Sequence, residues 1–90
     1  MHDSLFRALA DPTRRRILEL LSEGDRTAGD IAEQFPIAFA SVSHHLGVLK
    51  AAGLVATERE GQFIRYRLNT TVFQEVVRYF IQSFPGGNNA

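Results

Sequence analysis

The sequence predicts a mainly α-helical domain with one small β-hairpin, in the order helix, helix, helix, helix, strand, strand, helix. Apolar residues recur at intervals of three and four, and capping residues stand where most of these runs begin, which predicts the helices. Apolar and charged residues alternate beside a glycine-containing turn, which predicts the hairpin. A chain of 90 residues buries a modest fraction of its surface when alone, so we also expect a homodimer.

The first two helices are separated by Asp11-Pro12. Asp11 is suited to cap the second helix, and Pro12 is suited to its first position. The first helix is predicted from three apolar residues at helical spacing: Leu5, Phe6 and Leu9. The core face of the second, which ends at Gly24, consists of Ile17, Leu18 and Leu21.

Three consecutive arginines stand in the first turns of the second helix. The helix dipole disfavours cations there by roughly a few tenths of a kcal/mol, so a compensating contact is expected. Arg14 shares the core face, and we expect it to make an inward ion pair or carbonyl contact. Arg15 and Arg16 point outward and are expected to be solvated.

A short third helix is predicted to begin at Thr27, which is a candidate N-cap. It carries Ile31 and Phe35, and Pro36 stops it. A fourth helix then starts near residues 39–41 and runs to Ala52, where the chain is expected to leave the helix through a left-handed glycine.

The fourth helix has a buried side and an outer side when its residues are placed at roughly 100° intervals. The buried side consists of Val42, Leu46, Leu49 and Gly53. The outer side consists of Ala40, His44, Gly47 and Ala51. A glycine inside a helix costs roughly 1 kcal/mol relative to alanine, so Gly47 indicates a surface that another molecule approaches closely.

The hairpin is predicted from residues 54–59 and 63–68, and Asn69-Thr70-Thr71 can cap a last helix. That helix carries more apolar surface than its end of the core needs, so we expect a dimer, although a purely intrachain core is the alternative. The predicted interface consists of Leu5, Phe6, Leu9, Phe73, Val76, Val77, Phe80 and Phe84. Residues 1–84 are expected to form the domain, and residues 85–90 a disordered tail.

A short helix, a tight turn, a helix with a small outer face and a hairpin together predict a winged helix-turn-helix. A DNA major groove, about 12 Å wide, admits such a helix, and the hairpin would lie against the backbone or minor groove. The predicted DNA-binding residues are Ser41, Ser43, His44, His45, Lys50, Arg59, Gln62 and Arg65. His44 is the better candidate for base contact, because His45 lies nearer the buried edge and is expected to pack or position a phosphate.

The two adjacent histidines do not favour a metal site. Neighbouring helical side chains point roughly 100° apart, whereas chelation from one helix requires a spacing of three or four residues. The chain has no cysteine, and no acid stands three or four residues from either histidine. We therefore predict no metal site and no cofactor.

Composition narrows the function classes further. Without cysteine, disulfides and thiolate chemistry are absent. No apolar run approaches the roughly 18 to 20 residues of a membrane span, and a cytoplasmic protein is expected. No nucleophile, base and orienting group stand at plausible spacing, which argues against an enzyme. The net charge is zero, but residues 17–35 carry five acids and one arginine, net −4, whereas residues 38–69 carry four cations and two acids, net +2.

Four segments carry a resemblance to a known family: LADPTRRRILELL, TAGDIAEQF, SVSHHLGVLKAAGLV and EGQFIRYRLN. In this order and spacing they resemble the ArsR-type family of bacterial winged-helix repressors, and more closely its metal-independent SdpR-type autorepressors. The resemblance runs from about Leu5 to Phe84. It implies a homodimer formed by the first and last helices, with the helix that contains Ser41, Ser43, His44 and His45 in the major groove of double-stranded DNA. It also implies repression by promoter occupancy, often at the repressor's own promoter.

The chain departs from the metal sensors of that family. Those proteins usually carry a Cys-x-Cys segment before the turn, or Asp and His ligands on the last helix. The corresponding stretches here, TAGDIAEQF and TTVFQEVVRYFIQ, contain neither cysteine nor histidine. A regulator that does not respond to metal is therefore expected, and the releasing signal is left open among a small ligand, a partner protein and autoregulation without an inducer. A winged-helix protein-interaction module without DNA binding is the alternative function.

Overall fold

The computed structural model describes residues 3–84 and residue 86. The expected disorder of residues 85–90 concerns positions that, apart from Gly86, lie outside the described residues. Five helices and three strands follow in chain order: α1 (Asp3–Leu9), α2 (Pro12–Ser22), β1 (Arg26–Thr27), α3 (Ala28–Ala32), α4 (Phe39–Ala51), β2 (Val55–Glu60), β3 (Phe63–Leu68) and α5 (Thr70–Ser83). The predicted order of helices and hairpin is confirmed, and a short strand, β1, is added to it.

Three of the helices begin at the caps that the sequence predicts. The Asp11 carboxylate accepts a hydrogen bond from the Arg14 backbone N–H at 3.1 Å, which lowers the pKa of Asp11. The Thr27 hydroxyl accepts from the Asp30 N–H at 3.2 Å, and the Asn69 side chain accepts from the Val72 N–H at 3.4 Å. Each bond satisfies a backbone donor that the first turn of a helix leaves without a partner.

The third helix is shorter than predicted. It ends at Ala32, so Phe35 lies in the following turn and not on the helix. The N–H groups of Gln34 and Phe35 donate to carbonyls three residues earlier, at 3.0 and 3.2 Å, which tightens the chain into turns. Pro36 disfavours helical backbone at Phe35, which is consistent with the position of that residue outside the helix.

The sheet has three antiparallel strands in the order β1-β3-β2. Strands β2 and β3 form the predicted hairpin, in register from Val55 opposite Leu68 to Glu60 opposite Phe63. Gly61, in the turn between them, has a φ of 63°, which is accessible to glycine at little cost. Strand β1 pairs only two residues with β3, and such a short strand has no periodicity that a sequence pattern could reveal.

One core joins all five helices to the sheet. Its buried side chains come from each helix and from the start of the hairpin: Leu5, Ala8, Ile17, Leu18, Leu21, Ile31, Val42, Leu46, Leu49, Leu54, Val55 and Val76. No described polar or charged residue is buried. The core therefore fixes one side of α4 and leaves the other for contact with another molecule.

Candidate nucleic-acid interface

Helix α4 is held at both its buried face and its carboxyl end. Val42, Leu46 and Leu49 are buried, which confirms the predicted core side. After the helix, Gly53 has a φ of 79° and donates its N–H to the Lys50 carbonyl at 3.0 Å, and Leu54 donates to the Leu49 carbonyl at 3.0 Å. These two bonds form a Schellman motif, whose left-handed residue favours glycine. The outer face of α4 is thus presented from a fixed backbone.

The outer face of α4 is exposed and made of small or polar side chains. Its members are Ala40, Ser41, Ser43, His44, Gly47, Lys50 and Ala51. A Cβ added at Gly47 would meet no other atom within 4 Å, so the protomer itself does not require glycine there. The low relief and the hydroxyl, imidazole and ammonium donors are suited to the floor and edges of a DNA major groove.

His45 differs from His44, because it is tied to the body of the protein. Its side chain is only 16% exposed, and its Nδ1 lies 3.2 Å from Nη1 of Arg14 and 3.9 Å from the Asp11 carboxylate. A guanidinium has donors only, so Nδ1 of His45 is the acceptor of this hydrogen bond. The expected packing role of His45 agrees with this position, and its contact with DNA stays a prediction.

The arginines of α2 close the carboxyl end of α1. Arg14 donates from Nε to the Ala8 carbonyl at 2.7 Å and from Nη2 to the Arg7 carbonyl at 3.0 Å, which confirms the predicted inward contact. Arg15 Nη1 donates to the carbonyls of Leu9 and Ala10 at 2.9 and 3.0 Å. The expectation that Arg15 is only solvated is therefore wrong, because the last carbonyls of a helix attract nearby cations.

The remaining arginine, Arg16, lies on the surface of α2. It pairs with Glu19 at 3.2 Å, and both side chains are exposed. Through Arg14, by contrast, α1 and α4 share one guanidinium. Helices α1 and α4 are therefore linked by hydrogen bonds through Arg14 as well as by their shared core.

The hairpin extends beyond the core as a wing, and its tip carries charged side chains. Arg59 and Gln62 are exposed there, and Arg59 donates to the Gly61 carbonyl at 3.3 Å. Arg65 forms a bidentate pair with Glu60, with N···O distances of 3.0 and 3.1 Å. This pair lowers the pKa of Glu60 and raises the pKa of Arg65. Arg65 can reach a phosphate only in competition with that carboxylate.

The eight residues predicted for a dimer interface fall into three groups. Leu5 and Val76 are buried in the core of their own protomer. Phe6, Leu9 and Phe73 are half-buried against that core. Val77, Phe80 and Phe84 are between 47% and 59% exposed, and Ile81, which was not predicted, is 52% exposed.

The exposed apolar residues of α5 border two other regions of the protomer, an aromatic cluster with α1 and a groove beside α2. Phe6 of α1 lies against Tyr79 and Phe80, with ring centroids 5.4 and 5.5 Å apart, and Phe80 stacks on Phe84 at 5.9 Å. On the α2 side, Val77 and Ile81 line a groove of about 860 Å³. The exposed side of α5 therefore has apolar side chains next to it both towards α1 and towards α2.

Two further features of the described residues bear on function. Within residues 3–84, no three histidine or acidic side chains lie close enough together to hold a metal ion. None of the helices in the same range combines the length and the apolar character that crossing a membrane requires.

One exposed aromatic residue on α4 was not assigned by the sequence. Phe39, the first residue of the helix, is 57% exposed and is not packed against the core. Periodicity does not predict this exposure, because Phe39 precedes the buried Val42 by three residues and the buried Leu46 by seven.

The sequence and the fold are both similar to those of known regulators. The family profile described as "Bacterial regulatory protein, arsR family" matches residues 11–57. The chain is 51% identical over 87 residues to the transcriptional repressor SdpR of Bacillus subtilis (strain 168), and the match covers 97% of each protein. It is 43% identical over 61 residues to a probable mercury resistance operon repressor of Streptomyces lividans, covering 68% of this chain and 49% of that protein.

Solved structures agree with these matches. An ArsR-like transcriptional regulator from Rhodococcus sp. RHA1 superimposes with a TM-score of 0.89 at 31% identity, covering 98% of this chain and 81% of that one. The transcriptional repressor BigR from Xylella fastidiosa gives a TM-score of 0.71 at 30% identity, covering 91% and 84%. These relatives are regulators of transcription and not enzymes. The chain belongs to the ArsR family of bacterial regulatory proteins.

Proposed function

We propose that this chain is a homodimeric, sequence-specific DNA-binding transcriptional repressor whose release does not depend on a metal ion. The observation that carries the proposal is the outer face of α4, which is small, polar and exposed, while the opposite face is buried in the core. The relatives, which include transcriptional repressors, support the same function, and none of these relatives supports an interaction module without DNA.

In this proposal α4 enters the major groove, and its first turns supply the base contacts. Ser43 and His44 are exposed and free to donate to base edges, whereas His45 is held against Arg14 and supports the helix from behind. Lys50 and Arg59 are exposed cations that are suited to phosphate contact. The wing tip lies beside the groove, where its charge steadies the complex without reading sequence.

The dimer brings two such helices to one operator. A two-fold site presents its half-sites about 34 Å apart, so one protomer alone reads half of it. The exposed residues Val77, Phe80 and Phe84 supply the apolar surface for pairing, together with Phe6 and Leu9 of α1. The protein acts in the cytoplasm, at promoters that include its own.

The first test is fluorescence-anisotropy binding to the DNA upstream of the protein's own gene, against scrambled DNA of the same length, at low and physiological salt. A specific repressor is expected to prefer its promoter by roughly a thousandfold at physiological salt. Equal, weak binding that disappears for both DNAs as salt increases would contradict autorepression at that promoter. Absence of binding even at low salt, by a folded dimer, would support the interaction module instead.

Two classes of variant then separate base reading from phosphate contact. Ser43→Ala and His44→Ala are each expected to weaken operator binding by about tenfold and to narrow the preference over scrambled DNA. Lys50→Ala is expected to weaken binding to operator and scrambled DNA alike. It should also reduce the slope of log affinity against log salt concentration by about 1. Unchanged specificity in both Ser43→Ala and His44→Ala would contradict the assigned base contacts.

A further inference from the structure

The amino-terminal tip of α4 carries apolar side chains where a recognition helix would be expected to carry polar ones. Residues 37–40, Ile-Ala-Phe-Ala, are all exposed. Phe39 is 57% exposed and Ile37 is 40% exposed. Soluble protein surfaces avoid runs of three or four exposed apolar residues unless the run has a function.

The contacts among the described residues do not explain the exposed phenyl ring. Among the described residues, the aromatic contacts join Phe6, Tyr79, Phe80 and Phe84 to one another and His44 to His45, and none includes Phe39. The residue before it, Ala38, caps the helix without a side-chain hydrogen bond. The ring therefore neither fills the core nor closes the helix end.

The position of Phe39 places it with the proposed base contacts. It precedes Ser43 by four residues, so its exposed ring lies one turn before that side chain, at the border between the outer face and the core side that Val42 and Leu46 occupy. Helix-turn-helix proteins direct the amino-terminal residues of the recognition helix at base edges. A large ring at this position reaches the groove before the rest of the helix does.

The major groove offers such a ring a single kind of apolar partner. Base edges there present hydrogen-bond donors and acceptors, except for the C5-methyl group of thymine. We infer that Phe39 is a specificity-determining residue that packs against a thymine methyl group in each half-site. This inference rests on the proposed DNA-binding function and adds the base class that the tip of α4 selects.

Deoxyuridine provides the test, because it differs from thymidine only in lacking that methyl group. The probe is the upstream DNA fragment that the wild-type protein protects in a footprint, with its thymines replaced one at a time. At one or two positions in each half-site, the replacement is expected to weaken wild-type binding by about fourfold, the value of one buried methyl group. The same replacements are expected to have no effect on Phe39→Ala, whose affinity for thymine DNA is already reduced.

Two variants serve as matched controls. Phe39→Leu keeps an apolar side chain and is expected to keep most of the sensitivity to deoxyuridine. Phe63→Ala removes a ring that is also 57% exposed but lies on the wing, and it is expected to leave the sensitivity at those positions unchanged. Circular dichroism should show wild-type helix content for all three variants, because neither ring is part of the core.

The outcomes distinguish the inference from the function on which it rests. Wild-type protein that binds thymine DNA specifically and tolerates deoxyuridine at every position would overturn the inference and leave the proposed function standing. A full deoxyuridine penalty in Phe39→Ala would overturn it equally, because another residue would then contact the methyl group. Failure to bind DNA of any sequence would overturn the proposed function and the inference together.

Discussion

Helices α4 and α5 are of similar length, 13 and 14 residues, and each buries one side and exposes the other. The outer face of α4 consists of alanine, glycine, serine, histidine and lysine, with Phe39 at its tip. The outward half of α5 exposes valine, isoleucine and phenylalanine. Both surfaces are exposed in the protomer, but only the surface of α5 is mainly apolar.

The difference between the two faces follows from what each is proposed to contact. A groove lined with polar base edges and phosphates rewards close approach and hydrogen bonds, and large apolar side chains along the middle of the helix would prevent that approach. A protein partner rewards apolar area, at roughly 25 cal/mol per Å² removed from water. The kind of partner that an exposed surface contacts therefore depends on the chemistry of its side chains as well as on its area.

The largest expected effect comes from placing a charge on the α5 face. Phe80→Glu buries a carboxylate without a partner if the dimer forms there, at a cost of about 3 kcal/mol or more, which is roughly a hundredfold in the dimer dissociation constant. Sedimentation equilibrium measures this change. Gln82→Glu adds the same charge to an exposed polar position of the same helix and should leave the dimer intact. Equal dimerisation of the two variants would exclude Phe80 from the interface.

The next effect concerns the guanidinium that joins α1 to α4. Arg14→Met removes the hydrogen bonds to two α1 carbonyls and to His45, and we expect the free energy of unfolding to decrease by about 2 kcal/mol or more. Urea denaturation measures it. Arg16→Met, which loses only an exposed pair with Glu19, should change stability by less than about 0.5 kcal/mol. Similar losses in both variants would mean that the link to α4 contributes little.

A smaller change tests whether α4 approaches another molecule closely. Gly47→Ala should stabilise the protomer by about 0.5 to 1 kcal/mol, since the new methyl group has open space, yet weaken operator binding by about tenfold. Thermal unfolding and anisotropy measure the two quantities. Ala51→Gly, the reverse change one turn later on the same face, should lower stability without any steric loss of binding. Improved stability with unchanged affinity would contradict close docking at Gly47.

The smallest expected effect concerns the wing. Glu60→Gln releases Arg65 from its ion pair and should raise affinity for operator and scrambled DNA alike by about threefold, because one more cation can reach a phosphate. Glu58→Gln, which removes an equal charge opposite Arg65 in the hairpin register, leaves the pair in place and is the control. Fluorescence anisotropy at several salt concentrations measures these affinities. An equal gain in affinity for Glu60→Gln and Glu58→Gln would contradict the prediction.

The ion pair between Glu60 and Arg65 should depend on pH, and the direction follows from the lowered pKa of Glu60. Arg65 lowers the pKa of Glu60, so the pair is present above the ordinary pKa of glutamate and is lost as pH falls through the lowered value. Carboxyl NMR should show Glu60 titrating below the ordinary glutamate range, and within that range in Arg65→Gln. A Glu60 titration that is the same in both proteins would mean that the pair does not persist in solution.

Elements that depend on neighbours in sequence were predicted well. The caps at Asp11, Thr27 and Asn69, the glycine after α4 and the glycine-containing turn at Gly61 each act within about four residues. The core side of α4 followed from periodicity alone. Five of the eight proposed DNA-binding residues also came from this helix, and the other three, Arg59, Gln62 and Arg65, came from the predicted hairpin.

Features that join distant segments were not predictable in the same way. Strand β1 exists only because β3 supplies its partner, and the two segments are almost 40 residues apart in the chain. The contact of Arg14 with His45 spans 31 residues. Periodicity also could not separate Val76, which the core of its own protomer buries, from Phe80 on the same stripe of α5.

The sequence by itself determined the succession of helices and hairpin, the side of α4 that faces the core, and the family resemblance. Caps, turns and apolar spacing depend on residues that are close together in the sequence, so they can be predicted from the sequence alone. Only the tertiary structure decided that Arg14 and Arg15 close α1, that Arg65 is paired with Glu60, and that Phe39 is exposed at the tip of α4. These facts depend on which segments meet in space, and local chemistry does not specify that.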